Sequence, residues 1–203
     1  MIIHKVLNKL FSAPTSISVL RELSQRNVGL TGRELARLAG ITPQAAHNAL
    51  SNLETLKIVK REFAGKSHYF RLNRDHFLYK RIISLVFDSE NEFVQSLFAR
   101  IKKALSKDCE SIILFGSVAR KEEISGSDLD VCFVYAKHKI NVEEKISLLR
   151  DELYNEYGVT LAPYYISLTE FKKRAKLNKS PINSIIKEGR VISGKTIQRI
   201  IHG

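Results

Sequence analysis

Two short apolar runs, Ser111-Ile-Ile-Leu-Phe115 and Leu129-Asp-Val-Cys-Phe-Val-Tyr135, constrain the rear half of this chain more than any other feature. Runs of this length, bounded by turn residues, read as buried strands. Between them the chain turns on Gly116-Ser117, passes through charged residues and returns as Ser127-Asp128-Leu129-Asp130. On an extended strand, residues two apart point to one face, so Asp128 and Asp130 stand side by side. Neighbouring carboxylates repel, and the pair persists by staying solvated, sharing a proton or holding a divalent cation.

The preceding turn suits an anion. Gly116 lets a polyphosphate approach the main chain, Ser117 can donate from its hydroxyl, and a short helix from Ser117 to Arg120 adds partial positive charge. Hard oxygen ligands such as Asp128 and Asp130 suit magnesium, which completes its shell with waters and substrate phosphates. One short loop can thus hold nucleotide and metal together. No Gly-x-x-x-x-Gly-Lys is present, so a P-loop kinase or ATPase is excluded.

The stretch "FGSVARKEEISGSDLDVCFV" resembles the signature of the nucleotidyltransferase superfamily typified by DNA polymerase beta, most closely its minimal nucleotidyltransferases. The resemblance implies that Gly116 and Ser117 bind the triphosphate of a nucleoside triphosphate. It implies also that Asp128 and Asp130 are catalytic ligands of Mg2+, and that Arg120 is the basic residue on the short helix, a scaffold or phosphate contact. Active members usually place a third carboxylate on the strand after the long helix. Here that strand reads Gly158-Val-Thr-Leu-Ala-Pro-Tyr-Tyr-Ile166, without an acid, and Glu156 only precedes it.

The front third differs in charge. Residues 1–74 hold 12 Lys and Arg against 4 Asp and Glu, which leaves there +8 of the total formal charge of +12. Such a field attracts polyanions. Thr31-Gly-Arg-Glu34 has capping-box spacing before Leu35 and Leu38, and Gly40 suits the turn after that helix. Thr42-Pro43 then opens a second helix with Ala46, Ala49, Leu50 and Leu53 on its inner stripe. Helix, short turn, helix is the helix-turn-helix arrangement. Alternating runs Lys57 to Phe63 and Ser67 to Asn73 follow as a hairpin. The stretch Leu30 to Asn73 therefore resembles the winged-helix family of DNA-binding domains. That resemblance implies a duplex DNA partner, with Gln44, His47, Asn48 and Ser51 facing the groove and Arg61, Lys66 and Arg71 approaching phosphates from the wing.

The expected fold class is α+β, a winged helix domain over 1–74 and a nucleotidyltransferase-like mixed sheet flanked by helices over 108–203. Residues 75–107 lack Gly and Pro and read as two connecting helices, the second restarting at Ser89-Glu-Asn-Glu92. The first of them, Asp75 to Phe87, is expected to cover the second domain's core, a homodimer seam being its other use. Asn141-Val-Glu-Glu144 is expected to cap the helix before the third strand. No apolar run reaches bilayer length and the start is unlike a signal peptide, so the cytoplasm is expected, with no membrane partner. Cys109 and Cys132 have neither disulfide nor zinc spacing. Three functions remain: transfer of a nucleoside monophosphate to an unknown acceptor hydroxyl, transcriptional regulation through a domain that binds nucleotide or mediates dimerisation without catalysis, or a degenerate domain kept for protein contacts.

Overall fold

A computed structural model describes residues 4–65, 67–135 and 139–203, without the side chains of 64 and 139–141. Lys66 and the Asn141 side chain, both assigned roles from sequence, lie outside the described residues. The chain divides into two compact units, Met1–Asn91 and Glu92–Gly203. Among the described residues no helix is long and apolar enough to cross a membrane.

The first unit runs α1 (Val6–Leu10), α2 (Pro14–Ser24), β1 (Leu30–Thr31), α3 (Gly32–Leu38), α4 (Pro43–Thr55), β2 (Val59–Ala64) and β3 (Ser67–Leu72). Thr31 and Glu34 close a reciprocal capping box at α3. The Glu34 amide donates to Thr31 Oγ1 at 3.3 Å and the Thr31 amide to Glu34 Oε2 at 2.8 Å, which holds the Glu34 carboxyl below its ordinary range. Thr42 caps α4 by accepting from the Ala45 amide, with Pro43 in the first turn. Leu20, Leu35, Leu50, Leu53, Ile58 and Phe70 join one core under an antiparallel sheet of order β1-β3-β2. β2 and β3 pair from Val59↔Leu72 to Ala64↔Ser67 as the expected wing. The two-residue β1, opposite Tyr69 and Phe70, is too short to leave a period in the sequence.

The expected break at Ser89 is absent: a π-helical turn, Tyr79–Ile83, runs into α5 (Ser84–Leu105) without interruption. Nothing from 74 to 107 denies the backbone a helix, and Glu90 is pinned within it by Arg21, whose Nε and Nη2 donate to its carboxylate at 2.6 and 2.7 Å. Ile83 and Phe87 bury in the core of the first unit, so the segment does not cover the second domain as expected. Residues 75–107 are accordingly shared between the two units.

The second unit continues with β4 (Cys109–Leu114), α6 (Gly116–Arg120), β5 (Leu129–Tyr135), α7 (Lys139–Tyr157), β6 (Leu161–Ser167), α8 (Leu168–Lys176), α9 (Ile182–Glu188), β7 (Arg190–Gly194) and α10 (Ile197–His202). Its sheet has order β6-β5-β4-β7, with β5 and β6 parallel and the other pairs antiparallel. One face carries Ile112, Leu114, Leu129, Val131 and Phe133, against Ile101 and Leu105 of α5 and Ile146 and Leu153 of α7. The opposite face carries Ile113, Cys132, Val134 and Ile166 against Phe171, Ile182, Ile185 and Ile200. Both cysteines are buried thiols, as their apolar strands imply, and desolvation pushes the Cys109 thiol up to about 12.

Candidate functional site

The site lies where β4 ends and β5 begins. Phe115 is extended and its amide donates to the Asp130 carbonyl at 3.0 Å, which lashes the end of one strand to the start of the next. Gly116 follows at φ +73°, in the left-handed region that favours glycine. Its Cα rests on the Asp130 carboxylate: an added Cβ would collide with Oδ2 and stand 3.0 Å from Cγ. The geometry thus joins the Gly-Ser turn and the acid pair that the sequence could only place near each other. Ser117 is half-buried on the first turn of α6, which stops where Lys121 turns left-handed.

The loop back to β5 is shaped by its own hydrogen bonds. The Ser127 amide donates to the Ile124 carbonyl at 2.9 Å, and Ser127 Oγ accepts from the Ile124 amide at 3.0 Å. This tight turn delivers Asp128, exposed, and then Asp130, half-buried. Burial raises the Asp130 carboxyl above its ordinary range, Asp128 raises it further, and Arg120 opposes both. Asp128 thus adds to the negative field at Asp130, while β5 begins only at Leu129 and leaves Asp128 itself just before the strand.

Arg120 is tied on both sides. Its Nε donates to Glu122 Oε2 and its Nη1 to Glu188 Oε1, each at 2.7 Å, and these bonds keep the guanidinium charged. It thereby holds α6 to the following loop and to α9. Sequence reasoning missed Glu188, because nothing in a linear pattern reveals a partner 68 residues away.

The strand beside Asp130 carries no acid. β6 pairs in parallel with β5, so Ala162 lies opposite Asp130 and Leu161 opposite Leu129. Glu156 does not substitute, since its carboxylate sits 3.4 Å from Arg100 Nη2 on α5. Among the described residues no group of three or more His, Cys, Asp and Glu side chains is placed to hold a metal. Two crowded carboxylates nevertheless fit magnesium, which takes one or two from protein and the rest of its shell from water and phosphate.

The first unit has its own candidate surface. Gln44, His47, Asn48 and Ser51 all lie exposed on α4, and Gln44 Nε2 donates to Asn48 Oδ1 at 3.1 Å. The wing residues behave differently. Arg61 turns back to Glu54 and packs over the Phe70 ring at 5.5 Å, while Arg71 pairs with Glu62 at 2.8 Å on the hairpin surface. Between α4 and the wing lies a groove of about 580 Å³, lined in part by Arg33, His47, Arg61 and His68. Arg33 and His68 were not singled out from sequence, although the alternation of β3 puts His68 on the face of the buried Phe70.

Residues 97–192 match the family model described as nucleotidyltransferase domain. No curated protein matches the chain. Among solved structures, the AntR antimony-specific transcriptional repressor shares 27% identity, covering 44% of this chain and 78% of its own, with a TM-score of 0.38. The adhesin competence repressor AdcR from Streptococcus pyogenes shares 20%, covering 50% and 75%, with a TM-score of 0.37. A homodimeric winged helix-turn-helix DNA-binding domain from Mycobacterium bovis shares 18%, covering 45% and 90%, with a TM-score of 0.35. The Gly116-Ser117 turn, Asp128 and Asp130 all fall inside the segment that matches the nucleotidyltransferase domain model, in one chain with a unit of winged helix-turn-helix architecture.

Proposed function

We propose that the protein is a DNA-binding, magnesium-dependent nucleotidyltransferase. The observation that carries this reading is the seating of the Gly116 backbone on the Asp130 carboxylate, which brings a phosphate-binding turn and a metal-binding pair into one site. Gly116 offers its main chain and Ser117 its hydroxyl to the triphosphate of a nucleoside triphosphate. Arg120 positions the helix that bears them, through Glu122 and Glu188. Asp128 and Asp130 would hold magnesium, which when bound would supply positive charge to the phosphates. The acceptor oxygen bonds to the α-phosphorus as the bond to the β-phosphate oxygen breaks, and pyrophosphate leaves. In this reading the acceptor's hydroxyl proton passes to Asp128, which is exposed.

Incubation with Mg2+ and α-labelled nucleotide tests this directly. Label is expected on an acceptor with wild-type protein and not with Asp128→Ala/Asp130→Ala, and equal labelling by the double variant would exclude the site. One observation favours the second reading, a regulator whose rear domain only binds nucleotide. Ala162 stands where a third carboxylate would flank Asp130. In that case nucleotide binds, label stays on the nucleotide, and the bound triphosphate alters DNA affinity.

Duplex DNA is the partner of the first unit in both readings. Gln44, His47, Asn48 and Ser51 face base edges, and Arg33 and Arg71 face phosphates. Arg61 braces the wing against α4 instead, its charge answered by Glu54. Binding is expected to weaken steeply with salt, with log K falling by about 0.9 per phosphate neutralised. Arg71→Gln is expected to reduce that slope by about 1 at unchanged sequence preference. A slope unaffected by the substitution would remove Arg71 from the interface.

A further inference from the structure

A cavity of about 500 Å³ opens in the second unit, on the sheet face turned away from Asp130, and we infer that it binds a small amphipathic anion. Its ligand carries a single carboxylate or sulfonate on an apolar alkyl or aryl body. This is a site separate from the Gly-Ser turn, and it exists whether or not that turn serves catalysis.

The sheet itself separates the two. Side chains alternate along β5, so Asp130 shares a face with Cys132 and Val134, which pack with Ile113, Phe171 and Ile185. Leu114 belongs to the other face, buried with Leu129, Val131 and Phe133, and it lines the cavity. Phe98 of α5, Val118 of α6 and Ile192 of β7 line it too, each partly buried against that same core. Gly116, Ser117, Asp128 and Asp130 are not in the lining.

The hollow has a local cause. β7 is the edge of the sheet, and its register against β4 shifts between Ile112 and Ile113, so Ile192 bulges between Val191 and Ser193. Val94 on α5 and Val191 on β7, also in the lining, stay exposed. An apolar body that fills the hollow takes those side chains out of water, which is the driving force for its binding. The walls are set beforehand. The Phe115 amide ties the end of β4 to the Asp130 carbonyl, and Arg120 ties α6 to Glu188 of α9. A preformed apolar cleft of about 300–1,000 Å³ with a few polar groups at its mouth is the usual form of a small-molecule site.

The polar groups here select the charge. Lys121, Glu123 and Arg190 complete the lining, all three exposed and none in an ion pair among the described residues. Arg190 is brought there by its pairing opposite Leu114. Two cations and one carboxylate leave a single positive charge, which one anionic group answers. A nucleoside triphosphate would leave most of its charge unanswered against apolar walls. A cationic amphiphile would meet two like charges and one unlike.

The test titrates the full chain with anilinonaphthalene sulfonate, an aryl sulfonate that fluoresces on leaving water, and then displaces it with decanoate. One saturable site per chain is expected, emptied by decanoate and not by decyltrimethylammonium or by ATP with Mg2+. Lys121→Gln/Arg190→Gln is expected to weaken binding roughly fivefold, from two exposed charge contacts. Val94→Glu sets a carboxylate at an exposed position of the lining and is expected to weaken it at least as much. Glu123→Gln removes a like charge and is expected to tighten it about twofold. Lys176→Gln/Lys179→Gln, at the end of α8 on the other sheet face, controls for net charge and is expected to change nothing. Equal affinity of wild type, Lys121→Gln/Arg190→Gln and Val94→Glu overturns the proposal, as does an equal loss in the control or displacement by the cation or by ATP. A sedimenting dimer that Val94→Glu dissociates, with no site for decanoate, makes this surface an interface between copies and overturns it as well. The measurement needs no turnover. Absent label transfer sinks the transferase reading alone, whereas absent anion binding sinks this inference alone.

Discussion

Replacing Asp130 with asparagine is expected to abolish nucleotidyl transfer and at the same time to raise the melting temperature of the second unit. The carboxylate is half-buried, stands beside Asp128, and is held above its ordinary range by desolvation and by that neighbour. Both effects mean that the charged form is disfavoured in the fold, and a neutral side chain of the same shape relieves both. Asparagine, however, offers a poor ligand to a hard cation and no negative charge. Loss of one charged contact at a reacting phosphate costs about 10²-fold or more in rate. Magnesium should therefore raise the melting temperature of the wild type more than that of Asp130→Asn, because only a ligand bound to the native state stabilises it. Asp128→Asn, at an exposed position, is expected to lose the activity with little gain in stability. Melting curves with and without Mg2+ for the three proteins check this, and identical magnesium shifts in all three would remove the pair from metal binding. A gain of stability on loss of activity is the usual mark of a site built against its own electrostatics.

The elements were legible where local chemistry decides them. The Thr31 capping box, the Thr42-Pro43 helix start and the hairpin each follow from residues a few positions apart. β5 was readable to the residue, because Asp128 marks where an apolar strand meets solvent. The break expected at Ser89 failed because capping spacing is only permissive: with no Gly or Pro nearby, a helix gains more by continuing, and Glu90 anchors it to Arg21. The use of Ile83 and Phe87 was misassigned for a related reason, since a periodic apolar stripe says that a helix is buried but not against what. At the site, residue types and spacing pointed to Gly116, Ser117, Asp128 and Asp130, while the partners of Arg120 and the neighbour of Asp130 were hidden. Glu188 and Ala162 reach the site only through sheet order and helix packing, which no window of sequence contains.

Gly116→Ala is expected to destabilise the second unit strongly for a single added methyl group. Gly116 adopts φ +73°, where a side chain costs about 1–2 kcal/mol by backbone sterics alone. The new methyl also meets the Asp130 carboxylate, which must leave its rotamer at a further cost of about 0.5–1.5 kcal/mol. Together these predict a melting temperature lower by about 6–28 °C, at about 4–8 °C per kcal/mol for a unit of this size. The two costs are separable. Asp130→Gly in the same background removes the colliding carboxylate and leaves the backbone cost, so the double variant should recover part of the lost stability, and the cycle measures the contact. Nucleotide binding should fall with Gly116→Ala even well below its melting temperature, because the methyl occupies the approach to the turn. Duplex DNA binding by the first unit should persist and so report on folding. If Gly116→Ala melts like the wild type and still binds nucleoside triphosphate, the contact between the turn and the strand carboxylate is not the centre of the site.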